Sequence, residues 1–220
     1  MSSSDDGCPY KRELMAQVAR QVRDLEGSPL YEYRQENGYE PVIGEGNVCS
    51  AVMFIGEAPG EQEAKTGRPF VGSAGQVLDR LLQSVGIERE DVYITNVVKD
   101  RPPGNRDPTA EEIDLYSPFL WRQVEILEPR VIVTLGRFAM DFVLKHLQMA
   151  EQGSKISDLH GTLLKARASY GQVIVLPLYH PAVVFYRPGR EQVLKRDFQA
   201  LEEYVELRAG QRTARCCAER

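Results

Sequence analysis

Short runs of uninterrupted apolar residues alternate along this chain with stretches in which apolar residues recur every three or four places. The continuous runs are residues 51–55 (Ala-Val-Met-Phe-Ile), 92–95 (Val-Tyr-Ile-Thr), 131–135 (Val-Ile-Val-Thr-Leu) and 173–176 (Val-Ile-Val-Leu). Runs of this length with no polar alternation suit strands covered on both faces. Between them, Leu14, Val18, Val22 and Leu25 predict a helix over 11–26 that Gly27-Ser28-Pro29 ends. Val77, Leu78, Leu81 and Leu82 predict a second over 73–85, closed by Gly86. Thr109 with Glu111 and Glu112 marks a helix start, running to Leu127 before Pro129. Further helices are expected over 137–148 and 190–208. Residues 29–50 read as irregular with a short strand at 41–43, and 160–168 with 172–176 read as a hairpin about Tyr170-Gly171. Strands alternating with helices predict a three-layer αβα sandwich around a four-stranded, mostly parallel sheet. It would form one domain over 11–208, between a disordered tail at 1–10 and a flexible one at 209–220.

Two connections stand out from this regular pattern. Residues 56–72 separate a predicted strand from a predicted helix and are broken by Pro59, Gly60, Gly67, Pro69 and Gly72. They carry Glu57, Glu61, Glu63, Lys65, Thr66 and Arg68. Long polar loops at the carboxyl ends of strands are where open α/β sheets bind ligands. The second loop, Pro177 to Arg190, fixes His180 between two prolines in the same relation to the last strand. His146, on a helix, and His160, before Gly161, read as structural.

Composition narrows the field only a little. The 220 residues are 42% hydrophobic and 27% charged, ordinary for a soluble domain. No run of about 18 apolar residues is present, so no membrane span is expected. The start, Met1-Ser-Ser-Ser-Asp-Asp-Gly, lacks the basic and apolar parts of a secretory signal, so a cytoplasmic location is expected. A net charge of −5 argues mildly against coating nucleic acid, although affinity for phosphate depends on local clusters such as Lys99, Arg101 and Arg106. The four cysteines, Cys8, Cys49, Cys216 and Cys217, form no C-x-x-C pair. Neither a disulfide framework nor a metal site is expected from that spacing.

Residues 56–60 (Gly-Glu-Ala-Pro-Gly) with 67–72 (Gly-Arg-Pro-Phe-Val-Gly), and 179–182 (Tyr-His-Pro-Ala), resemble the two motifs of the family 4 uracil-DNA glycosylases. Residues 92–99, 101–106 and 133–137 match the same family between them. The similarity spans about residues 12–206 in the family's order. It implies a monomeric, monofunctional DNA-repair glycosylase that flips uracil out of DNA and hydrolyses its N-glycosidic bond, leaving an abasic site. Two alternatives are an enzyme for another deaminated base, such as hypoxanthine, and a non-catalytic binder of uracil-containing or single-stranded DNA.

The resemblance also assigns roles. Phe70 would stack on the flipped base and Asn96 would read its edge, with Gly56 and Ala58 against it. An Asn amide offers both an acceptor and donors, matching uracil N3–H and O4 and mismatching cytosine. His180 would donate to O2 as charge builds on the departing base. Of Glu57 and Glu63, one would orient water or stabilise the sugar cation and the other would block the methyl of thymine. Lys99, Arg101, Arg106 and Arg187 would meet phosphates, and Val184 and Phe185 would wedge into the duplex. Family 4 enzymes usually hold a [4Fe–4S] cluster on four cysteines. Aligned here, those positions are Leu25, Ser28, Asp100 and Tyr116, so no cluster is expected.

Overall fold

Buried parallel strands need helices on both faces, and the four continuous apolar runs obtain them. The computed structural model describes residues 8–202 and Tyr204. In it, α1 (Pro9–Arg23), α2 (Tyr31–Glu36), α3 (Glu61–Thr66), α4 (Ser73–Ser84), α5 (Ala110–Leu127), α6 (Arg137–His146), α7 (Ile156–Leu159) and α8 (Arg190–Phe198) surround one sheet. Its strands are β1 (Glu45–Gly46), β2 (Val52–Gly56), β3 (Tyr93–Asn96), β4 (Val131–Leu135), β5 (Leu164–Ala168) and β6 (Gly171–Leu178), in the order β1-β3-β2-β4-β6-β5. The four central strands are parallel, and the two edge strands are antiparallel to their neighbours.

Alternation along the strands divides the core in two. Met53, Ile55, Tyr93 and Ile132 face α1, α5 and α6, whereas Val52, Phe54, Ile94 and Val133 face α4 and α8. Phe54 stacks on Phe198 with ring centroids 6.0 Å apart. A fully buried aromatic of this kind resists truncation by on the order of 3–5 kcal/mol. The α5 start is a complete capping box: the Glu112 amide donates to Thr109 Oγ1 and the Thr109 amide donates to the Glu112 carboxylate.

Four expectations are corrected. The sheet has six strands, because a two-residue strand at 45–46 and the outer arm of the hairpin add an edge on each side. The short strand lies at 45–46, not 41–43. The ordered fold begins at Pro9, inside the tail expected to be disordered, since Pro at the first helical position starts α1 without needing an amide partner. Cys8 and Cys49 are joined as a disulfide, their Cα atoms 6.2 Å apart and 41 residues apart in sequence. Spacing alone could not foresee this, because α1 folding back across the sheet is what brings them together. Residues 1–7, the expected helix beyond 202 other than Tyr204, and the 209–220 tail with Cys216 and Cys217 lie outside the described residues. Among the described residues, no helix is long and apolar enough to cross a membrane.

Candidate active site

The chain leaves β2 outward to β3, then returns past β2 to build β4 and β6 on the other side. Reversals of this kind open a crevice at the carboxyl ends of the strands. The ends here deliver Gly56 and Glu57 from β2, Asn96 from β3, Gly136 from β4 and His180 from β6. Sequence-distant residues therefore share one site.

The segment 61–66, read from sequence as loop, forms α3 and carries Glu63. Glu63 Oε1 accepts from the backbone amides of Val71 (2.9 Å) and Gly72 (2.8 Å). This holds Phe70 in a left-handed conformation, φ 49°, which for a bulky residue costs on the order of 1–3 kcal/mol. The start of α4 packs so closely on the Phe70 carbonyl that Gly75 has no room for a side chain. The buried Phe70 ring lies 5.7 Å from the His180 ring at an interplanar angle of 32°. A side chain at Gly56 would run into both Asn96 Oδ1 and the Phe70 ring. That glycine keeps the wall between them open.

Asn96 is buried, and its Oδ1 has no hydrogen-bond partner within the protein. A buried acceptor left unpaired costs on the order of 1–3 kcal/mol, so it calls for a donor from outside. The backbone continues the β2–β3 pairing past Asn96, with the Val97 and Val98 amides donating to the Gly56 and Glu57 carbonyls at 2.9 and 3.0 Å. Residue 96 is thus fixed against the first loop.

Burial pulls the His180 imidazole down to about 4, although the nearby Glu63 carboxylate opposes the shift. The ring is therefore neutral at pH 7. Its Nδ1 accepts from the Ala182 amide at 3.2 Å, which leaves the proton on Nε2 as a donor. Gly136, at φ 94°, lies against the His180 Cβ, and a side chain there would displace the ring. Burial, and then the Asp107 carboxylate, push Glu57 up to about 7, while Arg137 opposes them. Ala58, the next residue, packs against the core. Neither Asp107 nor Arg137 was singled out from sequence. Arg137 opens the helix after Gly136, and that position was the available signal.

The proposed DNA contacts divide. Phe185 and Tyr186 protrude, 54% and 80% exposed, beyond the short 3-10 turn of Pro181–Phe185. Val184 is half-buried against the α4–α8 side, and Arg187 is exposed. Tyr186 was missed, although an aromatic beside Phe185 at a loop tip is a readable sign. Two cations are corrections. Lys99 is fully buried, its amine taken up by Thr95, Asn96 and Gln123, and so does not face phosphate. The Arg101 side chain is only 9% exposed and is held by Tyr39, Asn105 and Glu61. Arg106 forks onto Glu112 but stays half-exposed. His146 stacks on Trp121, centroids 3.6 Å apart, and His160 Nδ1 lies 2.7 Å from Asp197.

Ser28, Asp100 and Tyr116 come together in a polar hub. The Ser28 and Tyr116 hydroxyls lie 2.8 Å apart, and Tyr116 donates to Asp100 Oδ2 at 2.5 Å. Arg34 Nη1 reaches both Asp100 oxygens at 3.2 and 3.0 Å, and the same guanidinium donates to the Val22 and Arg23 carbonyls. Burial pushes the Asp100 carboxyl up, against the pull of Tyr116 and Arg34. Leu25 packs beside the hub on the α1–α5 core. Among the described residues, no cluster of three or more His, Cys, Asp or Glu side chains has the geometry of a metal site.

At the ends of a parallel sheet, a buried aromatic ring, an amide with an unpaired buried oxygen and a neutral histidine meet in one crevice, the place where an α/β sheet binds its ligand. Residues 43–206 match the Uracil DNA glycosylase superfamily, and the chain belongs to it. It is similar to the Type-4 uracil-DNA glycosylase of Saccharolobus solfataricus, 42% identical over 187 residues that cover 84% of each chain. The Archaeoglobus fulgidus Type-4 enzyme is 40% identical over 191 residues, covering 87% of this chain and 93% of its own. The similarity extends at 35% over 178 residues to the Type-5 uracil-DNA glycosylase of Pyrobaculum aerophilum, covering 74% and 75%.

Proposed function

We infer that the protein flips uracil from DNA and hydrolyses its N-glycosidic bond. The observation that carries this reading is the buried, unpaired Oδ1 of Asn96 beside Phe70 and Gly56. Uracil N3–H supplies the missing donor, and the Asn96 amide nitrogen donates to O4. Cytosine presents the opposite pattern and would leave the buried amide mismatched. Phe70, already strained into place, stacks on the base. As the C1′–N1 bond breaks, its electron pair goes to the base, and neutral His180 donates Nε2–H to O2 without losing its proton. Water adds to C1′ and gives its proton to Glu57, whose pKa of about 7 suits a base at neutral pH. Glu63 positions Phe70, with its oxygen committed to the 71–72 backbone. Phe185, Tyr186 and Arg187 form the face toward the duplex. The test is a strand-cleavage assay on oligonucleotides bearing uracil, thymine, hypoxanthine or xanthine. Alkali-labile sites are expected at uracil. Binding without cleavage would make the protein a reader of damaged DNA instead.

The protein works without an iron–sulfur cluster. Leu25, Ser28, Asp100 and Tyr116 supply no thiolate, and cluster ligation of this type needs thiolates. Their polar groups are already satisfied by each other and by Arg34. Metal analysis of anaerobically purified protein is expected to find no stoichiometric iron and no absorbance band near roughly 400 nm; finding both would overturn this reading.

A further inference from the structure

We propose that Lys99 is a buried cation that fixes the end of β3 under Asn96 and lends its charge to the base as the glycosidic bond breaks. This rests on the uracil-excision reading above. The hydrogen-bond inventory carries the argument. Lys99 Nζ lies 2.7 Å from Thr95 Oγ1, 2.6 Å from the Asn96 carbonyl and 2.6 Å from Gln123 Oε1. Thr95 spends its only hydroxyl proton on the Ile43 carbonyl at 2.7 Å. Gln123 Nε2 donates to the same carbonyl at 2.9 Å, which fixes Oε1 toward the lysine. All three neighbours are therefore acceptors. A neutral amine has two hydrogens, and its lone pair would face an oxygen. An ammonium has three hydrogens and satisfies every partner. Burial alone draws the Lys99 pKa well down, and no other charged group acts on it. The three acceptors work against that pull, because only the charged form can donate to all of them at once.

An uncompensated buried charge is expensive, and a neutral donor would hold β3 at lower cost. The position of the charge gives it a use. The carbonyl it grips belongs to Asn96, whose side-chain amide faces the base pocket. That connection places the ammonium roughly 8–10 Å from a base held by the amide, in a site preorganised before reaction. At an effective dielectric of about 20, a unit charge at that range corresponds to roughly 10- to 30-fold in rate for a leaving anion. Lys99 is thus a positioning residue that acts through Asn96 and through its field.

The test compares wild type, Lys99→Met and Gln123→Glu in single-turnover excision from oligonucleotides bearing uracil or 5-fluorouracil. Gln123→Glu keeps an oxygen toward Nζ and sets a carboxylate on the ammonium; it gives up the Nε2 donor to the Ile43 carbonyl, which the Thr95 hydroxyl still serves. The fluorinated base leaves as a more stable anion and needs less help. Both variants should lose roughly 10- to 30-fold on uracil and several-fold less on 5-fluorouracil. A purely structural role would slow both bases alike, since a misplaced Asn96 costs them the same contacts. Equal losses, or no loss in Gln123→Glu, would overturn the proposal while leaving the glycosylase reading intact. If Lys99→Met does not fold, Gln123→Glu decides alone. A wild type inactive on uracil would instead sink the glycosylase reading, and this inference with it.

Discussion

Glu57→Gln separates the stability of this site from its chemistry. The Glu57 carboxyl is pushed from its ordinary 4.5 to about 7, chiefly by burial and then by Asp107. Its folded-state pKa is raised, so in the unfolded chain it ionises first, near 4.5. Below that pH it is neutral in both states and costs nothing. Between 4.5 and 7 the folded protein retains a proton that the unfolded chain has lost, and stability falls as pH rises. Above 7 the full penalty is present. The difference between the two values corresponds to an upper bound of about 3 kcal/mol. Glu57 is only half-buried, and solvent screening reduces this to about 1–2 kcal/mol. Glutamine keeps the shape and never ionises, so Glu57→Gln should raise Tm at pH 8 by roughly 3–6 °C, given about 2–4 °C per kcal/mol at this size. At pH 4.5 the two proteins should melt together. The variant should also lose the wild-type rise in single-turnover rate centred near pH 7, the value of the unprotonated base. Melting curves at five or six pH values with a parallel rate profile make the measurement. A Tm difference that does not change with pH, or an unchanged rate profile, would refute the reasoning.

Other expectations follow from the same geometry. His180→Ala should slow the single-turnover step by roughly 10²- to 10³-fold while binding to abasic DNA persists at fixed salt; an equal fall in binding would make the histidine a docking residue. Asn96→Asp should lower uracil excision and weaken discrimination against cytosine, because the amide donor to O4 is lost; unchanged uracil kinetics would reduce Asn96 to a turn residue. Asp100→Ala strands the buried Arg34 guanidinium and should cost about 3–5 kcal/mol in urea unfolding with the excision rate of folded protein unchanged; a loss under about 1 kcal/mol would show that the hub does not brace α1 and α5.

Much of this was legible in sequence where a local pattern has one physical outcome. The run 51–55 had to be a doubly covered strand, and Thr109 with Glu111 and Glu112 had to open a helix. Gly56, Phe70, Asn96 and His180 fell at strand ends or in the loops following them, and parallel packing then gathered them. What was missed depended on partners distant in sequence. Six residues of α3 between Gly60 and Gly67 are too few to display a helical period. Lys99 looks like a surface cation beside Arg101, and only Gln123 and Thr95, brought in by α5 and β3, reveal its cage. Arg101 is drawn inward in the same way by Tyr39 from the far side of α2. Of the two edge strands, the outer hairpin arm was read at 160–168 but not counted into the sheet, and the other, only two residues long, was placed at 41–43.

The strand order carries a consequence for how the protein is made. β6 inserts between β4 and β5, and it is the last strand to leave the ribosome. Until it arrives, β4 has β2 on one flank and an open parallel edge of Val131, Val133 and Leu135 on the other. Such an edge is a template for pairing with another chain. Phe70 and Asn96 can be in place on the nascent chain while His180 is still untranslated. A stalled or truncated product ending before residue 171 would thus combine an aggregation-prone edge with a site that lacks His180.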